Sequence, residues 1–238
     1  MSITDSLSFL QLNSINILAI IWFFACYRGY FRYTQKKSRT EPTLAFAMHR
    51  HRRQWVRQAL VRENRIADTN TIATLQRHVS FFASTTLLIL AGLVTILGSS
   101  DKVSALLADV PFSNPNNTGE WEAKISLLVC LFVYAFFKFT WSLRQYGFVA
   151  VMLGGAPTKA EMEETKYLNQ IDSISKMASK AGGNFNNGLR TYYFSMAILG
   201  WFVNAWIFML LALLIVIILY RREFKSETLK TLLVDLPG

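Results

Sequence analysis

Three cations stand where a membrane would make them costly. Arg28 closes the first long apolar run of the chain, Lys138 lies inside the third, and Arg144 sits at the boundary of that third run. Ionisable groups in apolar spans are rare and are functional candidates by default. Lys138 shares a helical stripe with Tyr134, Trp141, Ser142 and Gln145. Such a stripe suits the lining of a polar cavity near the cytoplasmic side, and cations around a mouth favour anions. The competing reading is that these long side chains snorkel to lipid phosphates at the inner interface. None of the four apolar runs contains an acid. Proton- or cation-coupled transport works through membrane carboxylates, so that mechanism loses ground.

Other chemistry is thinly represented. Cys26 and Cys130 both fall inside apolar runs and read as small buried residues rather than a disulfide. His49 and His51 are two apart, so they point to different helix faces and make no metal pair. No nucleophile with a neighbouring base, no cofactor fingerprint and no metal-ligand cluster is present in the sequence, which points away from an enzyme. Asp68 beside Arg65 reads as a helix cap with a neighbouring ion pair.

The elements that must position these residues are membrane helices. A spanning helix needs roughly 20 mostly apolar residues, and residues 12–30, 79–98, 125–143 and 193–220 qualify. The expected fold is all-α and integral to the membrane, with four transmembrane helices and amphipathic cytoplasmic helices in one domain over 1–238. The N-terminal run has no basic residue before it, so it reads as an uncleaved anchor. Lys and Arg prefer cytoplasmic flanks. Segment 31–78 holds eleven of them and segment 144–192 holds six, whereas the loop between the second and third runs holds Lys102 and Lys124. With four spans this puts the N-terminus outside and the C-terminus outside too. Arg221 and Arg222 are then a poor outer flank, and an unseen odd span would bring the tail inside. Residues 146–156 are the candidate, but about eleven residues are too few to cross as a helix.

Segment 31–78 carries net +8 of the chain's +10. After Pro42 the spacing predicts a helix over 43–62, with Leu44, Met48, Trp55 and Ala59 on one stripe and Arg50, Arg53 and Arg57 opposite. Arg50, Arg53, Arg57 and Trp55 would contact anionic lipid headgroups or a cytoplasmic partner. The plainer alternative packs the apolar stripe against a neighbouring helix and leaves the arginines solvated. Positive-inside already accounts for the charge, so nucleic acid is not needed to explain it. Asp68, Thr69, Asn70 and Thr71 predict a helix start that runs on into the second span and projects it by about two turns. Thr158 and Glu161 have capping-box spacing for a helix to about Lys180, with Ala181-Gly182-Gly183 as its stop and 184–188 as a loop. Ser84, Ala91, Thr95 and Gly98 form a small-residue face on the second span, suited to close helix packing or a homo-oligomer, and Asn204 is placed to hydrogen-bond across helices. Asn116 heads a glycosylation sequon of little weight.

The runs Arg65-Ile66-Ala67-Asp68-Thr69-Asn70, Phe81-Phe82-Ala83-Ser84-Thr85 and Asn187-Gly188-Leu189-Arg190, followed by Tyr193-Phe194 and Gly200-Trp201, resemble one membrane family of bacteria and plants. It is catalogued as domain of unknown function 599. The resemblance implies a multi-pass membrane protein, and it brings no catalytic residues and no cofactor. The expected function is an oligomeric channel or transport-type protein with Arg28, Lys138, Arg144 and Tyr134 about a cationic cytoplasmic vestibule. The alternative is a non-transporting scaffold that binds anionic lipid or a cytoplasmic partner through its basic helix. A bacterial inner membrane is the expected location.

Overall fold

The computed structural model describes residues 3–37, 42–98, 118–158, 160 and 162–234, and all regular structure among them is helical. The helices are α1 (Ile3–Lys37), α2 (Leu44–Ala59), α3 (Ile66–Leu97), α4 (Thr118–Gly154), α5 (Glu164–Trp201), α6 (Ala205–Phe224) and α7 (Glu227–Val234). The protein is all-α, and four stretches are long and apolar enough to cross a membrane: Ser14–Lys37, Ile66–Leu97, Gly119–Gly154 and Ala205–Val234. Large side chains such as Phe81, Leu88, Val94, Leu210 and Ile218 are exposed along α3 and α6. That much exposed apolar surface is stable only against lipid or another apolar partner. The Asn116 sequon and the turn-rich segment 99–117 lie outside the described residues.

Side-chain contacts fix the direction of each helix. Trp201 Nε1 donates to Asn16 Oδ1 at 2.8 Å, Phe194 meets Phe23 edge-on at 5.8 Å, and Arg190 lies 5.5 Å over the Tyr30 ring. α5 therefore runs antiparallel to α1. α6 runs parallel to α1, with Phe208 against Phe23 and Tyr220 against Tyr33. α4 is antiparallel to α5: Lys124 lies over Trp201, Phe132 against Tyr192, and Phe139 against Phe185. α3 joins the same layer through Thr86, which shares a hydrogen bond with Tyr192 at 2.7 Å.

These pairings build two cores in series. One is made of α1, α6, the first half of α4 and the last half of α5, around Phe23, Leu128, Phe194, Ile198, Trp201 and Phe208. The other is made of α2, the last part of α4, the first half of α5 and much of α3, around Val56, Leu60, Ile72, Tyr146, Leu153, Tyr167 and Ile174. At ~1.5 Å per residue, α4 and α5 are each over 50 Å long, against a hydrocarbon layer of ~30 Å. Residues 146–154 thus continue the helix of the third span, which ends at Gly154.

Three expectations are corrected. Ala181-Gly182-Gly183 does not stop a helix, because α5 runs unbroken from Glu164 to Trp201. The glycines serve close approach instead: a Cβ at Gly182 would strike the Arg52 guanidinium, and one at Gly188 would strike the Phe139 ring. Residues 193–220 are not one helix. The chain turns at 202–204, and Asn204 caps α6 by accepting from Trp206 N at 2.9 Å instead of bonding across helices. Finally, the tail and the basic segment share one end of the molecule. His51 Nε2 donates to the Leu232 carbonyl at 2.9 Å, and α7 packs on α2.

Candidate functional site

The cations singled out from the sequence lie on α1 and α4 and keep separate surroundings. Arg28 is exposed on α1. Lys138, on α4, donates to Asn184 Oδ1 at 3.4 Å and lies 5.3 Å from the centre of the Tyr134 ring. Tyr134 in turn interacts with Tyr27 of α1, whose hydroxyl shares a hydrogen bond with Thr191 at 3.1 Å. Arg144 is exposed one and a half turns further on and covers the Phe148 ring. The structure therefore joins Tyr134 and Lys138 with α1 and α5, and leaves Arg144 on the outer face of α4.

The rest of the Lys138 stripe does not line a cavity. Ser142 is 0% exposed and donates to the Ala181 carbonyl at 2.7 Å. Gln145 is 6% exposed and accepts from Asn184 Nδ2 at 2.8 Å. Both are buried seams between α4 and α5. Open space lies instead between α1 and α5, in a cleft lined by Tyr27, Tyr30, Phe31, Asn187, Arg190 and Phe194. It holds ≈ 10 Å³ of room for water, about one molecule.

Sequence reading did not anticipate the residues that organise the surroundings of this cleft. Arg190 pairs with Glu223 at 3.1 Å, a mostly buried bridge between α5 and α6. Arg222 Nη1 donates to the Tyr193 hydroxyl at 2.8 Å. Tyr30 is 5% exposed, and its hydroxyl has no hydrogen-bond partner among the described residues. The available signal was the Asn187-Gly188-Leu189-Arg190 run itself. Its one-sided spacing puts Asn187, Arg190 and Thr191 on a single helix face.

Beyond these contacts the basic segment is folded against α5. Thr43 caps α2 by accepting from Phe46 N at 3.1 Å. His49 shares a hydrogen bond with Ser179, Arg53 pairs with Asp172, and the Tyr167 hydroxyl donates to the Arg57 carbonyl. Residues 49, 53 and 57 thus meet 179, 172 and 167 in reverse order. α2 stands alongside α5 and does not lie across the end of the membrane bundle. Arg50 is half-buried, while Arg53 and Arg57 are exposed. Burial, followed by the neighbouring charges of Arg52 and Arg53, holds the His49 imidazole below its ordinary value. Burial likewise pushes the Arg52 guanidinium down, partly offset by Tyr146.

Asp68 is not a cap, and its partner is not Arg65. It is 2% exposed, inside the first turn of α3, where Oδ1 accepts from Trp55 Nε1 and from Arg62 Nη1, both at 2.8 Å. Arg65 instead donates to the carbonyls of Ala59, Leu153, Ala156 and Pro157. It ties the α2–α3 turn to the end of α4. Trp55 is therefore committed to this joint, through its indole N–H.

Ser84, Ala91, Thr95 and Gly98 lie on the exposed side of α3, and a Cβ at Gly98 would meet only carbonyls of its own helix. The close helix approaches are made by Gly182, Gly188 and Gly200 of α5.

Against known proteins, the family described as "Protein of unknown function, DUF599" matches residues 18–228. No curated protein and no solved structure matches the chain.

Proposed function

The chain belongs to the DUF599 family of proteins of unknown function, and on that premise we propose that it is a non-transporting membrane anchor. It carries a basic helical bundle into the cytoplasm and holds an acidic protein partner there. The observation that carries this reading is the stance of α2 along α5. The helix has 16 residues, four of them arginine and none acidic. Its first turn sits at the membrane layer, where Ala45 N donates to Glu223 Oε1. From there it extends ~24 Å away at ~1.5 Å per residue. Lipid surface charge is screened within ~8 Å. Arg57 is thus beyond the reach of headgroups and suits a protein surface.

The same reading sets the topology in a bacterial cell membrane, with the N-terminus outside. The last half of α5 lies among α1, α3, α4 and α6 and serves as a fifth crossing. Its polar groups are satisfied by neighbouring helices, which is the condition for placing them at membrane depth. Five crossings put the tail inside. Arg221, Arg222, Lys225 and Lys230 then join the basic residues of the two cytoplasmic segments, and Lys102 and Lys124 stay outside.

The test uses the full chain in its own membrane. A photo-crosslinking residue at position 57 is expected to give a discrete protein adduct that disappears in Arg50→Glu/Arg53→Glu/Arg57→Glu, while the protein alone in liposomes passes no ion or solute. Adducts that survive the charge reversal, or a flux that Lys138→Leu abolishes, would overturn the proposal.

A further inference from the structure

Three sides of α2 meet the rest of the chain. α5 lies along one, through His49 and Ser179 and through Arg53 and Asp172. α7 lies along another, through His51, and Trp55 is bonded to Asp68 of α3 on a third. The remaining side carries a stripe. Phe46, Arg50, Arg53 and Arg57 follow one another at spacings of four, three and four residues, and Val61 comes four further on. Val61 N donates to the Gln58 carbonyl at 3.2 Å, so the chain still winds helically there. Phe46 is 42% exposed and Val61 53%. Between them Arg53 and Arg57 are exposed and Arg50 is half-buried.

A stripe that alternates spacings of three and four is the seam at which one helix receives another. The centre of this one is cationic, its two ends are apolar, and α2 contains no acidic residue. Its complement is a surface with carboxylates in the middle and a large apolar side chain at each end. Spacing decides between a helix and an extended segment. Seam positions on a helix recur every ~5.3 Å, whereas same-face residues of an extended chain recur every ~6.7 Å. Over the three steps from Phe46 to Arg57 an extended partner slips by ~4 Å. That exceeds the ~3 Å of a hydrogen bond, and a helix stays in register. A membrane surface fits less well, because Val61 stands ~22 Å along the helix from Phe46 and one bilayer interface does not reach both. Arg53 already pairs with Asp172 at 3.1 Å, but the two side chains are 52% and 42% exposed. An exposed bridge of that kind contributes little and yields to a second carboxylate.

We infer that the outer stripe of α2 receives an amphipathic helix of the partner protein, laid alongside α2. Acidic side chains of that helix face Arg50, Arg53 and Arg57, and its apolar side chains cover Phe46 at one end and Val61 at the other. The inference rests on the acidic partner proposed above and adds the partner's shape and register to its charge.

The test is fluorescence anisotropy with the full-length protein in nanodiscs of phosphatidylcholine and two stapled helical peptides. Each has about 18 residues, enough to reach from Phe46 to Val61 at ~1.5 Å per residue. One places glutamates along a single stripe with a leucine at each end. The other has the same composition, shuffled so that the glutamates scatter around the helix. The striped peptide is expected to bind about tenfold more tightly than the shuffled one. Arg57→Gln should weaken the striped peptide severalfold, as should Phe46→Ser and Val61→Ser. Arg57→Lys should keep most of the affinity, which separates a lost charge from a lost fold. Arg77→Gln, an exposed cation on α3, should leave it unchanged. Equal binding of the two peptides would overturn the helix and leave an acidic partner read by charge alone. Unchanged affinity in both Phe46→Ser and Val61→Ser, or an equal loss in Arg77→Gln, would overturn the stripe as the docking surface. Failure of both peptides to bind would overturn the inference as well, and the acidic partner is then decided separately by its own crosslink at position 57.

Discussion

The Trp55 indole nitrogen donates to Asp68 Oδ1 at 2.8 Å and so fastens α2 to the first turn of α3. The same carboxylate oxygen takes Arg62, on the turn between the two helices. One buried acid therefore closes a helical hairpin that carries the most basic segment of the chain. Removing the acid leaves the half-buried indole N–H without this acceptor, and an unmet donor costs more than the bond itself contributes.

Asp68→Ala is accordingly expected to destabilise the protein by about 2 kcal/mol, read as a drop in melting temperature in detergent. Trp55→Phe, which removes one donor and keeps the ring, should cost about 1 kcal/mol. If both variants melt with wild type, the joint contributes nothing to stability.

Gly188 faces the Phe139 ring so closely that an added Cβ would overlap it. Overpacking of this kind costs about 1–3 kcal/mol. Gly188→Ala should lower stability by that amount, and Phe139→Leu in the same chain should restore part of it. Additive losses in the double variant would mean that the two residues do not share the space.

His49 gives the hairpin a pH dependence. Its folded-state value lies below the ordinary 6.5, so the unfolded chain takes up the proton first as pH falls. The stabilising contribution is complete above about 6.5 and is lost as pH drops through the lower folded value. Melting temperature should therefore fall more steeply between pH 7 and pH 5 for wild type than for His49→Gln. Parallel curves for the two proteins would remove His49 from the account.

The location of the tail follows from counting the last half of α5 as a crossing. A fluorescent reporter fused after Gly238 should light in the cytoplasm, and an export-dependent phosphatase at the same place should stay inactive. The opposite pattern would return the chain to four crossings.

Most of the architecture was legible in the sequence because hydrophobic runs and one-sided charge are strong signals. The first three spans, the projection of α3 and the helix after Pro42 all follow from them. The last half of α5, proposed above as a fifth crossing, drew no notice because residues 184–201 include three asparagines, Arg190, two tyrosines and Ser195. That segment reads as polar until its partners are known: Gln145 for Asn184, Tyr27 for Thr191, Glu223 for Arg190. Tertiary contacts removed the penalty that hydropathy assigned. Gly182 was misread for a related reason. A glycine that ends a helix and one that admits a neighbour look alike in one dimension, and only the Arg52 side chain against it separates them. The surroundings of Lys138 were half legible: the cation and Tyr134 were visible, whereas its neighbour Asn184 depended on the packing of α4 against α5.

α4 and α5 each belong to both cores without a break. The two cores consequently share their stiffest members, and no linker isolates one from the other. A tilt of about ten degrees at the far end of a rod some 57 Å long displaces its other end by roughly 10 Å. A tilt of either helix at the α1 and α6 end would thereby move the arginine-bearing hairpin at the other.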